Sequence, residues 1–441
     1  MSYQNRQALT SITDSNSPPP VAETEGGVGQ PNIDLFDPAT QEDWYPAYRE
    51  LRDNHPVYRL PGSDLYVLTR YEDIMRVVRD PKLFSVEHER LGGDLLIKHE
   101  QAREFYRENG LGKETGVGRW SPLSTDPPRH RKYRDLVDRF FQGRALLDAR
   151  PLIEQLVDEL IDGFVTQGEV EVVSAFAEPL PVTVITSLLG LPLEDIPQLR
   201  QWSAAWAAPF ARGLSLEQEM EVARQGVDFQ NYIRDVANER RRNPREDIIT
   251  HLVQARYDDE RPLTDHEIAS IVDHLYIGGN ETTTFAIASG LWLMLREAQI
   301  YKALIANPSQ LPTFAEEVLR LESPTQGLYR TASADTEIRG VPISKGATIH
   351  MRFAAANRDE AVFAHPDKVD LGRKNASRHL AFSKGEHHCP GAALSRLEQV
   401  IAYERLLERL PNLRLTPGAN DFTHWPGFVL RALRHLHVSF D

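Results

Sequence analysis

Cysteine is nearly absent: the 441 residues contain one, Cys389. A lone cysteine forms no intramolecular disulfide, so the bridge-stapled secreted class is excluded and a cytoplasmic setting is expected. Positive charge is also short. Lys and Arg number 50 against 64 Asp and Glu, a formal charge of −14, which gives no basis for broad attraction to nucleic acid or anionic membrane. No apolar run approaches the roughly 18–20 residues that a spanning helix needs, and the N-terminus lacks the charged-then-apolar design of an export signal. Internal repeats are missing too, as is any Pro/Gly-rich linker after residue 31 that would divide the chain. What is present is a hydrophobic share of 41%, ample for a large core.

Residues 1–32, with "SPPPVAETEGGVGQP", are too polar and too broken to offset ordering entropy and read as a flexible tail. Residues 33–441 read as one unit. The alternation in "VYRLPGSDLYVLTRY" predicts two strands around Pro61-Gly62, followed by a helix through "YEDIMRVVRD". Downstream the apolar spacing is mostly three and four, and short strand-like pieces return after Tyr329. The expectation is a single mainly α domain with small β-sheets, an α+β class.

Four places can carry chemistry. In "FSKGEHHCPG", Cys389 sits between histidines and a Pro-Gly turn, just before a helical pattern. It is a core filler, a nucleophile or a ligand. A helix N-terminus favours thiolate, and His387, His388 and His379 also permit a zinc reading, although paired ligand spacings are missing. The second place is a long helix from Thr264 to Ala298, opened by a Thr264-x-x-Glu267 capping box and carrying "GGNETTT". Two mid-helix glycines cost about 1 kcal/mol each. Either Gly278 and Gly279 allow a close helix crossing, or they make room for a flat cofactor beside Glu281 and Thr282, an acid and an alcohol suited to proton delivery. Third, Glu317 and Arg320 share a helix face, as ordinary surface ion pairs do. Fourth, "DPPRHRKYR" has Asp126 as the expected N-cap, with His130 and Arg134 four apart as a possible anion clamp or a solvated basic face.

Together, in this order, the four stretches resemble the cytochrome P450 family. The family's cysteine loop, Phe-x-x-Gly-x-[His/Arg]-x-Cys-x-Gly, is matched by Phe382, Gly385, His387, Cys389 and Gly391. Its distal helix motif is matched by Gly278 to Thr283, and its Glu-x-x-Arg by Glu317 and Arg320, completed by Arg373 in a structural role. Ser395 and Ser383 stand where the family usually has alanine and glycine. The resemblance covers residues 33–441 and implies a prism-shaped, mostly helical domain.

It also implies a cofactor, haem b (iron protoporphyrin IX), with Cys389 as axial iron ligand and His130, Arg134, Arg330 and His387 at the propionates. Glu281 and Thr282 would deliver protons, and the activity would be monooxygenation: hydroxylation, demethylation or epoxidation of a small, largely apolar substrate. Electrons would come from a separate ferredoxin or flavodoxin with its reductase, docking near Arg131, Lys132 and Lys384. Likeness to the soluble bacterial members adds a cytoplasmic monomer. Within the pocket, His274 shares a helix face with Gly278 and Thr282; it is either a satisfied core residue or a polar anchor for a substrate hydroxyl or carboxylate, with Gln326 placed similarly by the resemblance. Trp202, Trp206 and Phe210 fall in the region that roofs the pocket in this family, or are ordinary core packing, and the polar segment 86–119 falls in the variable access region. The competing classes are a haem sensor or carrier without turnover and a zinc hydrolase built on Cys389, His387 and His379.

Overall fold

The computed structural model describes residues 33–87, 99–109, 125–211, 214–257 and 260–441, without the side chains of residues 107, 210 and 211. The expected tail, residues 1–32, and most of the segment 86–119 lie outside them, as does the Phe210 side chain.

The predicted hairpin is present. Strand β1 (Val57–Arg59) pairs antiparallel with β2 (Leu65–Leu68), Val57 opposite Leu68. Helix α1 (Tyr71–Arg79) follows and buries Ile74, Val77 and Val78. Strand β3 (Phe84–Ser85) then leads towards α2 (Arg129–Val137), the helix of His130 and Arg134. Asp126 does not cap this helix. Pro127 and Pro128 intervene, and the Asp126 carboxylate is taken by the Ser85 hydroxyl and by the Val86 N–H at 3.0 Å, while its carbonyl receives the His130 N–H at 3.0 Å. The acid therefore ties the start of α2 to the end of β3.

Helices α3 (Pro179–Leu189), α4 (Ile196–Ala207) and α5 (Leu216–Arg242) surround the long helix α6 (Asp265–Arg296). The capping box forms as read: Thr264 Oγ1 accepts the Glu267 N–H at 3.2 Å, and Glu267 Oε2 accepts the Thr264 N–H at 2.8 Å. Because α6 is apolar on nearly every side, it must be covered all round. It packs against α3, α5, α7 (Leu311–Glu322) and α8 (Ala392–Arg409). Ile268, Ile271 and Val272 are fully buried. Such side chains contribute on the order of 2 kcal/mol each, enough to offset the two glycines.

After α7 the chain returns to the sheet through β4 (Leu328–Ala332) and β5 (Thr348–Met351), giving the order β1-β2-β5-β4-β3. β5 runs parallel to β2 and antiparallel to β4, with Arg330 opposite Ile349. The hydrophobic core lies between α6, α8 and their neighbours, with smaller clusters under the sheet. No helix among the described residues is long and apolar enough to cross a membrane.

Candidate active site

Cys389 is held by the loop in front of α8. Its N–H donates to Phe382 O at 2.9 Å, closing the loop on itself. Gly385 takes φ 70°, and a Cβ there would lie 2.8 Å from the Val78 carbonyl of α1, so the backbone passes where no side chain fits. Ser383 has φ 55° and is buried, its hydroxyl without a hydrogen bond. Burial pushes the Cys389 thiol up, against the pull of the Gly391 N–H, Arg134, Arg396 and the Ala392 N–H. The expected helix-terminus effect acts in the right direction and loses to desolvation. A thiolate at this sulfur therefore needs a cation on its open side.

A cavity of about 260 Å³ connects Cys389 with α6. Phe382, His387 and Gly391 line it on the cysteine side, Gly278, Gly279, Glu281 and Thr282 on the other. The two glycines divide the two accounts between them. Gly279 faces Ile185 of α3, where a Cβ would come within 2.9 Å; Gly278 meets nothing within 4 Å and opens to the cavity. Thr282 Oγ1 donates to Gly278 O at 3.0 Å, and Glu281 Oε1 accepts from Ser203 of α4 at 3.5 Å. Thr283 and Ser395 bond at 3.0 Å, so the serine in the usual alanine position links α8 to α6.

Basic groups gather at one side of this cavity. The His130 and His387 rings lie 4.0 Å apart. His130 Nδ1 is buried with no hydrogen-bond partner, and burial, then Arg134, pushes its pKa down to about 4. Arg134 pairs with Asp138 at 2.5 Å and donates to His388 O at 2.7 Å. Arg330 is buried, and burial lowers it to about 10; it donates to Tyr329 O at 2.7 Å and makes no ion pair among the described residues. An orphaned imidazole nitrogen and a buried guanidinium that forms no ion pair among the described residues, with only the field of Asp126 acting on it, fit an absent anion. The sulfur, the basic side chains and the open face of Gly278 line one cavity, and that donor set fits an anionic cofactor that carries a metal.

Other expectations fare differently. Glu317 and Arg320 are not a surface pair: both are fully buried, bonded at 2.6 and 2.9 Å, with Arg373 Nε at 3.0 Å from Glu317. Arg320 also holds the carbonyls of Asn357, Pro366 and Lys368. Gln326 does not face the cavity. Its amide is filled by the Tyr48 hydroxyl at 2.9 Å and by the carbonyls of Glu322 and Ser323, which makes it a structural cross-link. Trp202 packs against Phe229 and Tyr232, whereas Trp206 reaches the cavity beside His274. For zinc, His379 Nε2 is engaged by Glu316 at 2.9 Å, and no group of three metal-ligating side chains occurs among the described residues. Sequence reading missed Val429 and Leu430, which line the cavity from a segment with no helical or strand periodicity to mark it.

Comparison with known proteins agrees with this geometry. The cytochrome P450 family model matches residues 200–436. Nocardicin C N-oxygenase of Nocardia uniformis is 35% identical over 90% of this chain and 96% of its own. The 6-deoxyerythronolide B hydroxylase of Saccharopolyspora erythraea is 32% identical over 92% and 98%. The crystal structure of the Tepidiphilus thermophilus P450 heme domain superposes with a TM-score of 0.83 at 28% identity, covering 93% and 97% of the two chains. With its cysteine loop, basic cluster and long helix disposed around one cavity, the chain belongs to the cytochrome P450 family of haem-thiolate monooxygenases.

Proposed function

We propose that residues 33–441 form a haem b domain that oxygenates a small, largely apolar substrate with O2 and two electrons from a separate ferredoxin or flavodoxin and its reductase. The carrying observation is that one cavity joins the Cys389 sulfur, the Thr282 hydroxyl and a buried cluster of basic side chains. Cys389 would hold the haem iron through its sulfur, and the cation would favour the thiolate. His130, Arg134, Arg330 and His387 would receive the propionates. Phe382, Gly385 and Gly391 shape the loop that presents the sulfur. When bound, the haem supplies activation of O2, one oxygen atom going to the substrate and the other, with two electrons and two protons, to water.

The chain's own task is proton management and exclusion of bulk water. Thr282 lines the cavity and its hydroxyl donates to Gly278 O, which leaves its oxygen free to accept. Glu281, one residue earlier and buried, is the adjacent proton source. Arg131 and Lys132 on α2 and Lys384 in the cysteine loop are the cations this reading assigns to docking an acidic electron donor. The test is Thr282→Ala in the holoenzyme. Electron and oxygen consumption should continue while product per electron falls; unchanged coupling would favour a sensor or carrier over an enzyme that uses this hydroxyl.

A further inference from the structure

The one imidazole that faces the cavity from α6 is His274, four residues before Gly278 and eight before Thr282. Its Nδ1 lies 2.9 Å from Ser270 O. A carbonyl oxygen only accepts, so Nδ1 carries the hydrogen and, in the neutral ring, Nε2 carries the lone pair. Nε2 has no hydrogen-bond partner among the described residues. The ring is braced edge-on by Trp206, centroids 6.0 Å apart at 82°. The cavity it lines is mostly apolar, with Ile185, Ile271, Leu275, Leu328 and Val429 among its walls.

We infer that His274 Nε2 is a hydrogen-bond acceptor that selects substrates carrying a hydroxyl or N–H group, and discriminates against carboxylates, at the end of the chamber away from Thr282. The inference rests on the monooxygenase reading of the same cavity. Burial pushes the His274 pKa down to about 4, against the opposite effect of the Ser270 carbonyl, so the ring is neutral at working pH. A carboxylate there would be bound well only by bringing a proton to Nε2, against the burial that depresses the imidazole. The expectation of a hydroxyl or carboxylate anchor thus narrows to a donor group. Eight helical residues span about 12 Å. The recognised donor therefore sits about 12 Å along the helix from Thr282.

The test is spin-state titration of the holoenzyme with two matched sets: dodecanol, dodecyl methyl ether and dodecanoate, and cyclododecanol, its methyl ether and cyclododecanecarboxylate. In at least one skeleton the alcohol should bind about tenfold tighter than the ether or carboxylate. His274→Phe should erase that preference, and His274→Gln, which presents an amide oxygen, should restore part of it. The inference is overturned if no alcohol binds better than its ether, if the carboxylate binds best, or if His274→Phe keeps the preference. A normal thiolate-type ferrous–CO spectrum alongside such a result sinks this inference alone; an abnormal one in the parent protein sinks the monooxygenase reading.

Discussion

Gly279 of the long helix lies against Ile185, so that a Cβ would fall 2.9 Å from Ile185 Cγ1, whereas the preceding Gly278 has open space where its side chain would be. Adjacent glycines thus answer to different constraints. Gly279→Ala gains about 1 kcal/mol of helix propensity but overpacks a branched neighbour by about 1–3 kcal/mol, so a lower denaturation midpoint is expected. Gly278→Ala should hold or raise the midpoint and instead shrink the cavity, weakening ligand-induced spectral shifts. Denaturant titration of both variants, with ligand binding measured in parallel, checks the contrast.

Ser383 occupies the left-handed region at φ 55° with its hydroxyl buried and unbonded. Glycine tolerates that backbone without the Cβ penalty of about 1–2 kcal/mol. Part of this gain is lost to the greater freedom of glycine in the unfolded chain. Ser383→Gly should therefore stabilise the protein by about 0.5–1 kcal/mol, read as a raised melting temperature of the holoprotein. A drop in stability would show that the hydroxyl has a partner in the loaded site.

Glu267 caps the long helix and is nearly fully buried. Burial alone would raise its carboxyl, but Arg261 at 2.8 Å, the Thr264 N–H and the Tyr133 hydroxyl hold it down at about 2. The folded pKa is depressed, so the native state binds fewer protons than the unfolded chain below the ordinary carboxylate value of 4.5. Its contribution, roughly 3 kcal/mol, is present above that pH and is lost as pH falls towards 2. Stability of the parent protein should decline through this window, and Glu267→Gln should be weaker at neutral pH with a shallower acid decline. Equal slopes for the two would contradict the assignment.

What was legible from sequence was local. The cysteine loop, the capping box and the His130–Arg134 face each place their groups within one turn or one helix, so spacing alone locates them. Gln326 and Asp126 were misread because their partners are distant in sequence: Tyr48 lies 278 residues away from Gln326, and Ser85 lies 41 from Asp126. Glu317–Arg320 shows the same limit in reverse, since an i,i+3 pair looks identical on a surface and in a core. Burial separates them, and burial is a property of the assembled fold. Val429 and Leu430 enter the cavity through long-range closure of the chain, without periodicity to announce it.

The sulfur of Cys389 carries the account. The most direct measurement is the ferrous–CO absorption spectrum of the haem-loaded parent protein and of Cys389→Ala. The parent should show the thiolate-type band and the variant should lose it, together with turnover. A parent protein without that band, or a variant that keeps it, would contradict ligation through Cys389.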